Sequence, residues 1–492
     1  MSFSTTIDEA VSPLVLALDV GSTGTRGGLY DARGLPVKGA KFKVPHAFTT
    51  AGDGTSTIDA DQVTDEIRTC IDHCATQFDA PIAGVALDTF AASLVGVDAE
   101  HRAITPTFTY ADSRCAPQVS YLRATVDEDE TQQRTGTRQH TSYLPARFLW
   151  LKENHADLFA RARRWLSLGE YAWLRIIGTT AAGTSTAAWT GMLDRHTCTW
   201  DEPLAAAVGV PVEKLSPIAH PSQPLRPAID IAQTWPTLAG AVWFAPVSDG
   251  HTQSFGAGAT DSSRLVLSAA TSGALRRVIT GAVDDLPRGL WCYRLDEERS
   301  ILGGAINDVG RAMTWLEQTL RLPEPEILMD YLNGDPHTDT PLVLPWFTGE
   351  RSTGWIGDAR AVLAGVSAAS TPLELYRGTV EGIALAYQRM LTELLLVEGR
   401  PAEIVGTGRV TLDHPGLLQM IADATGAPVT PVTIKRSTLH GTALHAVDVL
   451  APTVERADVT RAETLTPHPE RRGYYRRRVE RFRVLYDKVY AR

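Results

Sequence analysis

Cysteine is scarce and follows no pairing pattern: the five residues Cys70, Cys74, Cys115, Cys198 and Cys292 are odd in number and contain no C-x-x-C spacing. This excludes a disulfide framework and a thiolate zinc cluster, and fits reduced thiols in a cytoplasmic protein. Long apolar runs are missing too. No stretch reaches the ~18 residues of a membrane-crossing helix, and the segment Met1 to Ser12 is too acidic and polar for a secretion signal. Positive charge is outweighed, 47 Lys and Arg against 57 Asp and Glu, for a net charge of −10. That balance argues against a general nucleic-acid or anionic-membrane binder. Two familiar phosphate motifs are also absent. No Gly-Lys-Ser/Thr of a P-loop occurs, and the spacing of Gly21, Gly24 and Gly27 does not fit a G-x-G-x-x-G turn opening a helix. What remains is 492 residues, 43% hydrophobic, enough for two domains of roughly 250 residues each.

Residues 14–30 read LVLALDVGSTGTRGGLY, an apolar strand ending in Asp19, a small-residue turn, and a second strand entered through Arg26. Gly21 and Gly24 let main-chain N–H groups approach an anion, Ser22, Thr23 and Thr25 add hydroxyls, and Arg26 adds a permanent charge. Asp19, at the mouth of the strand, is placed to hold a hydrated Mg²⁺ against phosphates. Taken alone, the segment reads equally as a plain glycine-containing hairpin. Residues 265–279, LVLSAATSGALRRVI, then repeat the pattern with Thr271 and Ser272 in the turn and Arg276 beyond it. Two such hairpins suggest a duplicated fold whose turns face each other across a cleft, one for each end of a polyphosphate.

The first half predicts strands at 14–20, 26–30 and 36–44, a helix over about 61–77 and a buried strand at 82–87. This is the order of a ribonuclease H-like mixed sheet. The second half predicts strands at 265–267, 275–279, 291–295, 300–302 and 403–405, with helices near 310–320 and 373–396. Small residues at 256–263 mark the boundary, giving halves 1–257 and 258–492. The C-terminal stretch 471–492 holds nine Arg or Lys residues. Tyr475, Val479, Phe482, Tyr486 and Val489 recur there at three- and four-residue steps, so it reads as a helix packed on the body with a solvated basic face, not as a nucleic-acid arm.

Asp249, in APVSDGHTQSFGAG, precedes a helix. The carboxylate suits a base protruding into a cleft and suits a helix cap equally well. His251 reads as structural. Gly303-Gly304 with Asn307, and Gly406-Thr407-Gly408, are turns where a nucleotide can lie against the backbone.

In order along the chain stand DVGSTGTR at 19, TYADSR at 109, PARFLWL at 145, SDGHTQSFGAG at 248, ATSGALR at 270, GGAINDVGRAMTWL at 303, LPWFTGERSTGW at 344, RGTVEGIALAYQ at 377, GTGRV at 406 and HGTALHAV at 440. This series, from about 14 to 450, resembles the FGGY carbohydrate kinases, most similarly the gluconate kinase branch. The resemblance implies two actin-like ATPase domains of ribonuclease H-like fold around a cleft. It also implies phosphorylation of a sugar or sugar-acid hydroxyl by ATP with Mg²⁺, gluconate being the first guess. By that match Asp249 is the general base and Asp19 the acid associated with Mg²⁺. Thr23 and Arg26 belong to the first phosphate turn, and Thr271 and Ser272 to the second. Gly304, Gly406 and Gly408 fall where the family holds the nucleotide, and Asp112 and Tyr143 near its substrate wall.

Three departures stand out: Ala270 where Gly is common in the second turn, Thr407 where a third glycine is common, and Ala91-Ala92 where many members carry a polar, substrate-facing pair. The alanines remove hydrogen-bond partners and add volume. A substrate carboxylate would then pair with Arg114 or Arg147. Alternatives are a ketose or polyol kinase of the xylulokinase kind, and an actin-like ATPase driving a partner protein. Oligomeric state stays open, a homodimer included.

Overall fold

The computed structural model describes residues 3–490; residues 1–2 of the first expected half and 491–492 of the second lie outside them. Two mixed sheets share one plan. In the first, Pro36–Val44, Gly24–Tyr30 and Leu14–Gly21 form an antiparallel meander, and Ile82–Thr89 then adds parallel to Leu14–Gly21, followed by Val242–Phe244. In the second, Arg299–Ile306, Gly273–Thr280 and Arg264–Ala269 form the meander, and Glu403–Thr407 adds parallel, followed by Val429–Pro431. Trp291–Arg294 flanks the second meander. Apolar runs ended by small turn residues make the central strands Leu14–Gly21, Ile82–Thr89 and Arg264–Ala269, and both their faces are covered, as parallel pairing requires.

Strand alternation sorts the first sheet's faces. Leu16, Leu18, Val20, Val85 and Leu87 pack under the helices Ala60–Thr76 and Leu168–Ile177. Val15, Ala17 and Ala86, with Tyr30 and Phe244, face the opposite way, against Leu439, Ala443, Ala446 and Val447 of the helix Ser437–Leu450. Late in the chain, that helix crosses back to cover the first sheet. Burying each Leu or Val there contributes about 1.5–3 kcal/mol. The second sheet is covered by the helices Gly310–Thr319, Pro372–Val397, Pro415–Thr425 and Arg472–Tyr490. In the last of these Tyr475, Phe482 and Tyr486 are buried and Val479 packs at the edge, as its spacing predicts. Val489 differs: it is exposed, one turn past the contact.

The crossing helix meets the helix Asp249–Gly256 at reciprocal glycines. A Cβ on Gly256 would stand 1.8 Å from the Ser437 carbonyl oxygen, and one on Gly441 1.8 Å from that of Thr252. Only glycine permits this backbone approach. The contact explains the small residues of the 248–258 and 440–446 segments and fixes where Asp249 sits.

Candidate active site

The first hairpin closes with Gly21 opposite Gly24, leaving Ser22 and Thr23 at its exposed tip. Gly24 has φ 146°, and a Cβ there would stand 2.5 Å from the Val44 carbonyl oxygen. Two rungs below the turn, Arg26 lies across from Asp19 and its Nη1 donates to Asp19 Oδ2 at 2.8 Å. Thr25 departs from the expected set of ligand-facing hydroxyls. It is buried, and its Oγ1 donates to Glu66 Oε2 at 2.7 Å, because the strand's alternation turns it toward the helix Ala60–Thr76. His46 spans the same Glu66 and the Gly21 carbonyl, at 2.7 and 2.8 Å, so the turn is braced from below.

The second hairpin is one residue longer at its tip. Ala269 pairs with Gly273, and Ala270, Thr271 and Ser272 form the exposed turn, closed by Ala270 N–H donating to the Ser272 carbonyl at 2.9 Å. Ala270 is not among the residues of positive φ, so alanine replaces glycine there without strain. Gly273 is obligatory, since a Cβ would stand 2.0 Å from Tyr387 Oη. Beside this turn, Gly408 has φ 99° and would place a Cβ 2.3 Å from the Ala269 carbonyl oxygen. Thr407 is buried and pairs in register with Ser268, while Gly406 makes only ordinary contacts. Gly304 lies mid-strand, and the space a Cβ would fill is already taken by Met390 and Ser352. Asn307 donates through Nδ2 to the Thr348 and Gly349 carbonyls, tethering that loop.

Asp249 opens its helix at the carboxyl end of the parallel pairing between Val247-Ser248 and Asp88-Thr89. It remains partly open to the cleft. Burial pushes its carboxyl up to about 6, against the pull of Arg276, with the charge of Asp19 adding to the rise and the N–H groups of Gly250 and Ala91 opposing it. Ser248 occupies the cap position of this helix, and Asp249, its first residue, faces charges from both halves. Arg276 crosses from the second hairpin and donates to Gln253 Oε1 on the Asp249 helix at 2.7 Å. His251 is buried, held neutral by desolvation and edge-on to Phe255, a core residue as expected.

Residues 14–241 match the model of the FGGY family of carbohydrate kinases, N-terminal domain, and residues 285–447 that of its C-terminal domain. The chain belongs to this family. It is 23% identical over 420 residues to gluconokinase of Bacillus subtilis (strain 168), covering 80% of this chain and 79% of that protein. To xylulose kinase of Escherichia coli (strain K12) it is 22% identical over 387 residues, covering 76% and 77%. Its fold superposes on the crystal structure of gluconate kinase from Lactobacillus acidophilus with a TM-score of 0.89, at 24% identity, over 97% of this chain and 98% of that one. The duplicated, actin-like architecture expected from the two hairpins is therefore that of an FGGY kinase.

Around Asp249 the wall differs from the sequence expectation. Arg114 is not free for a substrate carboxylate: its Nη2 donates to Asp112 Oδ2 at 2.7 Å, and its guanidinium lies 4.4 Å over the Trp150 ring. Asp112 is buried in that pair and also accepts from Ser56 N–H. Arg147 is fully buried and donates to the Ala92 and Thr141 carbonyls at 2.9 and 3.2 Å, holding up the turn from behind. Ala92 itself has φ 53°, and the cavity lined by Phe90, Ala91, Ala92 and Thr186 holds about 10 Å³. That is at the lower limit for one water, so the alanines open little room on that side. Tyr143 is buried, with its hydroxyl 2.6 Å from that of Tyr293 in the second half.

Residues the sequence reading passed over complete the site. Arg351 runs beside Tyr143 and bears on Tyr110 and Tyr293, and its buried Nε has no hydrogen-bond partner. Asp88 is the in-register neighbour of Asp19. Burial and the Asp19 charge push it well above the usual carboxylate range. A signal for it existed: LALD at 16–19 and VALD at 85–88 are near repeats, each an apolar strand ending in an acid.

Proposed function

We propose that this FGGY kinase transfers the γ-phosphoryl group of ATP to a hydroxyl of a sugar acid, with gluconate the first substrate to test and Asp249 the general base. What carries this reading is the placement of Asp249: a carboxylate raised to about 6, ionised at neutral pH, at the mouth of a cleft with a phosphate-type hairpin on either side. As the substrate oxygen bonds to phosphorus and the bond to ADP breaks, Asp249 accepts the hydroxyl proton. The N–H groups of Gly250 and Ala91 orient the carboxylate, and Arg276 offsets charge beside it. In phosphoryl transfer such positioning and charge neutralisation carry most of the rate. Ser22 and Thr23 on one side, and Thr271, Ser272 and the Gly406–Gly408 turn on the other, supply the donors for nucleotide phosphates.

Asp19 fits a hard divalent cation, because the carboxyl end of the first sheet offers oxygen ligands and carries two acids, of which Asp19 alone has a direct ion pair, with Arg26. Mg²⁺ held there would neutralise charge on the transferring phosphate. The sugar-acid preference rests on the guanidinium of Arg351 beside Tyr143, which like that of Arg276 keeps an unpartnered Nε, while Arg114 and Arg147 are engaged. Halves meeting near residue 257 support closure over both substrates, and the five free thiols support a cytoplasmic setting. The test is ADP formation with Mg²⁺-ATP across gluconate, other sugar acids, xylulose, ribulose and glycerol. The expected result is the highest kcat/KM for an acid. A pentulose exceeding every acid overturns the substrate assignment, and equal ADP formation without any sugar overturns the kinase reading in favour of an ATPase.

A further inference from the structure

We propose that Asp88 is a second carboxylate anchor, beside Asp19, for the divalent cation that accompanies the nucleotide. The inference rests on the reading that nucleotide phosphates lie at the first hairpin. Asp19 and Asp88 are in-register partners on adjacent parallel strands, and alternation puts both on the face that carries Val15, Ala17 and Ala86. Adjacent strands lie ~4.8 Å apart, a spacing from which two carboxylates can reach one cation with oxygen ligands at about 2.0–2.1 Å. Asp88 is wholly buried. Thr442, on the crossing helix, donates to its Oδ2, whereas Oδ1 receives no conventional donor; the Asp19 and Asp88 side chains lie within hydrogen-bond reach of each other, a contact that needs either a shared proton or a cation between them. A residue kept only to tie down that helix accounts for the Oδ2 contact and leaves the bare oxygen unexplained.

Charge balance points the same way. Arg26 bonds to Asp19, while Arg436 bears on Asp19 and Arg26 on Asp88 through charge alone, so a single direct ion pair serves two buried acids. A buried carboxylate without a counter-charge must either take up a proton or be neutralised by a bound cation. Among the described residues no group of three or more His, Cys, Asp or Glu side chains is arranged to hold a metal alone. This suits Mg²⁺, which takes one or two carboxylates and completes its shell with water and substrate phosphates.

The experiment titrates Mn²⁺ into the full chain with ADP, reading free Mn²⁺ by electron paramagnetic resonance, and separately measures ADP affinity in EDTA. Asp88→Asn and Asp88→Ser are expected to weaken Mn²⁺ binding about tenfold or more, while metal-free ADP binds as well as or better than to the parent, since one negative charge has gone. A purely structural role would weaken both. An unchanged Mn²⁺ affinity in the Asp88 variants, alongside its loss in Asp19→Asn, overturns the inference and leaves the hairpin reading standing. Unchanged affinity in all three variants overturns both. Should the variants not fold, the parent protein loaded with Fe²⁺ and ADP and treated with ascorbate and peroxide decides the matter. Backbone cleavage near both Asp19 and Asp88 is expected, and cleavage near Asp19 alone overturns the inference.

Discussion

The two hairpins are copies of one unit with opposite electrostatic characters. Two rungs below its turn the first carries Asp19 against Arg26, while the second carries Leu267 against Leu275 at the same place. The second hairpin's arginine comes a rung later, opposite Val266, and reaches across the cleft to Gln253 and toward Asp249. The two hairpins thus share one turn architecture, and the acid–arginine rung stands in one of them only. On the proposed reading, a polyphosphate between them would meet acids suited to a cation on one side and neutral hydroxyls and N–H groups on the other.

The strongest way to break the comparison is at the residue both hairpins address. Asp249→Asn should lower kcat by about 10² to 10⁴, the usual contribution of a positioned general base, with unchanged melting and ATP binding. Steady-state kinetics beside a thermal melt check this. Next, Asp19→Asn should remove Mg²⁺ dependence together with most turnover. Thr271→Ala with Ser272→Ala should instead raise KM for ATP by about 10- to 100-fold, as expected for lost hydrogen bonds to a charged group. Similar phenotypes from both would erase the distinction between the hairpins.

Two smaller effects sharpen it. Gly273→Ala should destabilise the protein by about 1–3 kcal/mol, because its Cβ collides with Tyr387. Gly21→Ala should leave the melting temperature nearly unchanged, since its nearest neighbour is the flexible end of Arg26 at 3.2 Å. The acidic limb of kcat/KM should fall as pH drops through about 6, where Asp249 takes up a proton and stops acting as a base. Arg276 holds that carboxyl down, so Arg276→Met should move the limb to higher pH, whereas Thr271→Ala should not move it.

Much of this was legible in residue order. Each strand of both meanders was recoverable to within a few residues, because apolar runs of strand length end in Gly, Ser and Thr turns whose chemistry is local. Pairing information is not local, and there the reading fell short. Arg114 and Arg147 looked like free cations until Asp112, Trp150 and the Ala92 carbonyl were brought to them. Thr25 looked like a ligand hydroxyl until Glu66 arrived from 41 residues away. Asp88 lies near the end of a strand that reads as wholly buried, and its carboxylate finds partners only once the register with Asp19 and the crossing helix with Thr442 are in place. The helix 437–450 has an apolar pattern that would suit either sheet, so its crossing could not be read from periodicity.

That crossing also sets a timetable. The face of the first sheet bearing Val15, Ala17, Tyr30 and Phe244 is covered by a segment that leaves the ribosome only after the second half's strands have been made. At about 5–20 residues per second, the roughly 190 residues from Gly256 to Leu450 take on the order of 10–40 seconds to synthesise. Through that interval the nascent first half presents an unfinished apolar face and an uncapped Asp88, and Thr442 reaches its acid only as the last helices emerge. Covering the first sheet is therefore among the final events of this chain's synthesis, and a truncation anywhere before residue 437 would leave that apolar face exposed.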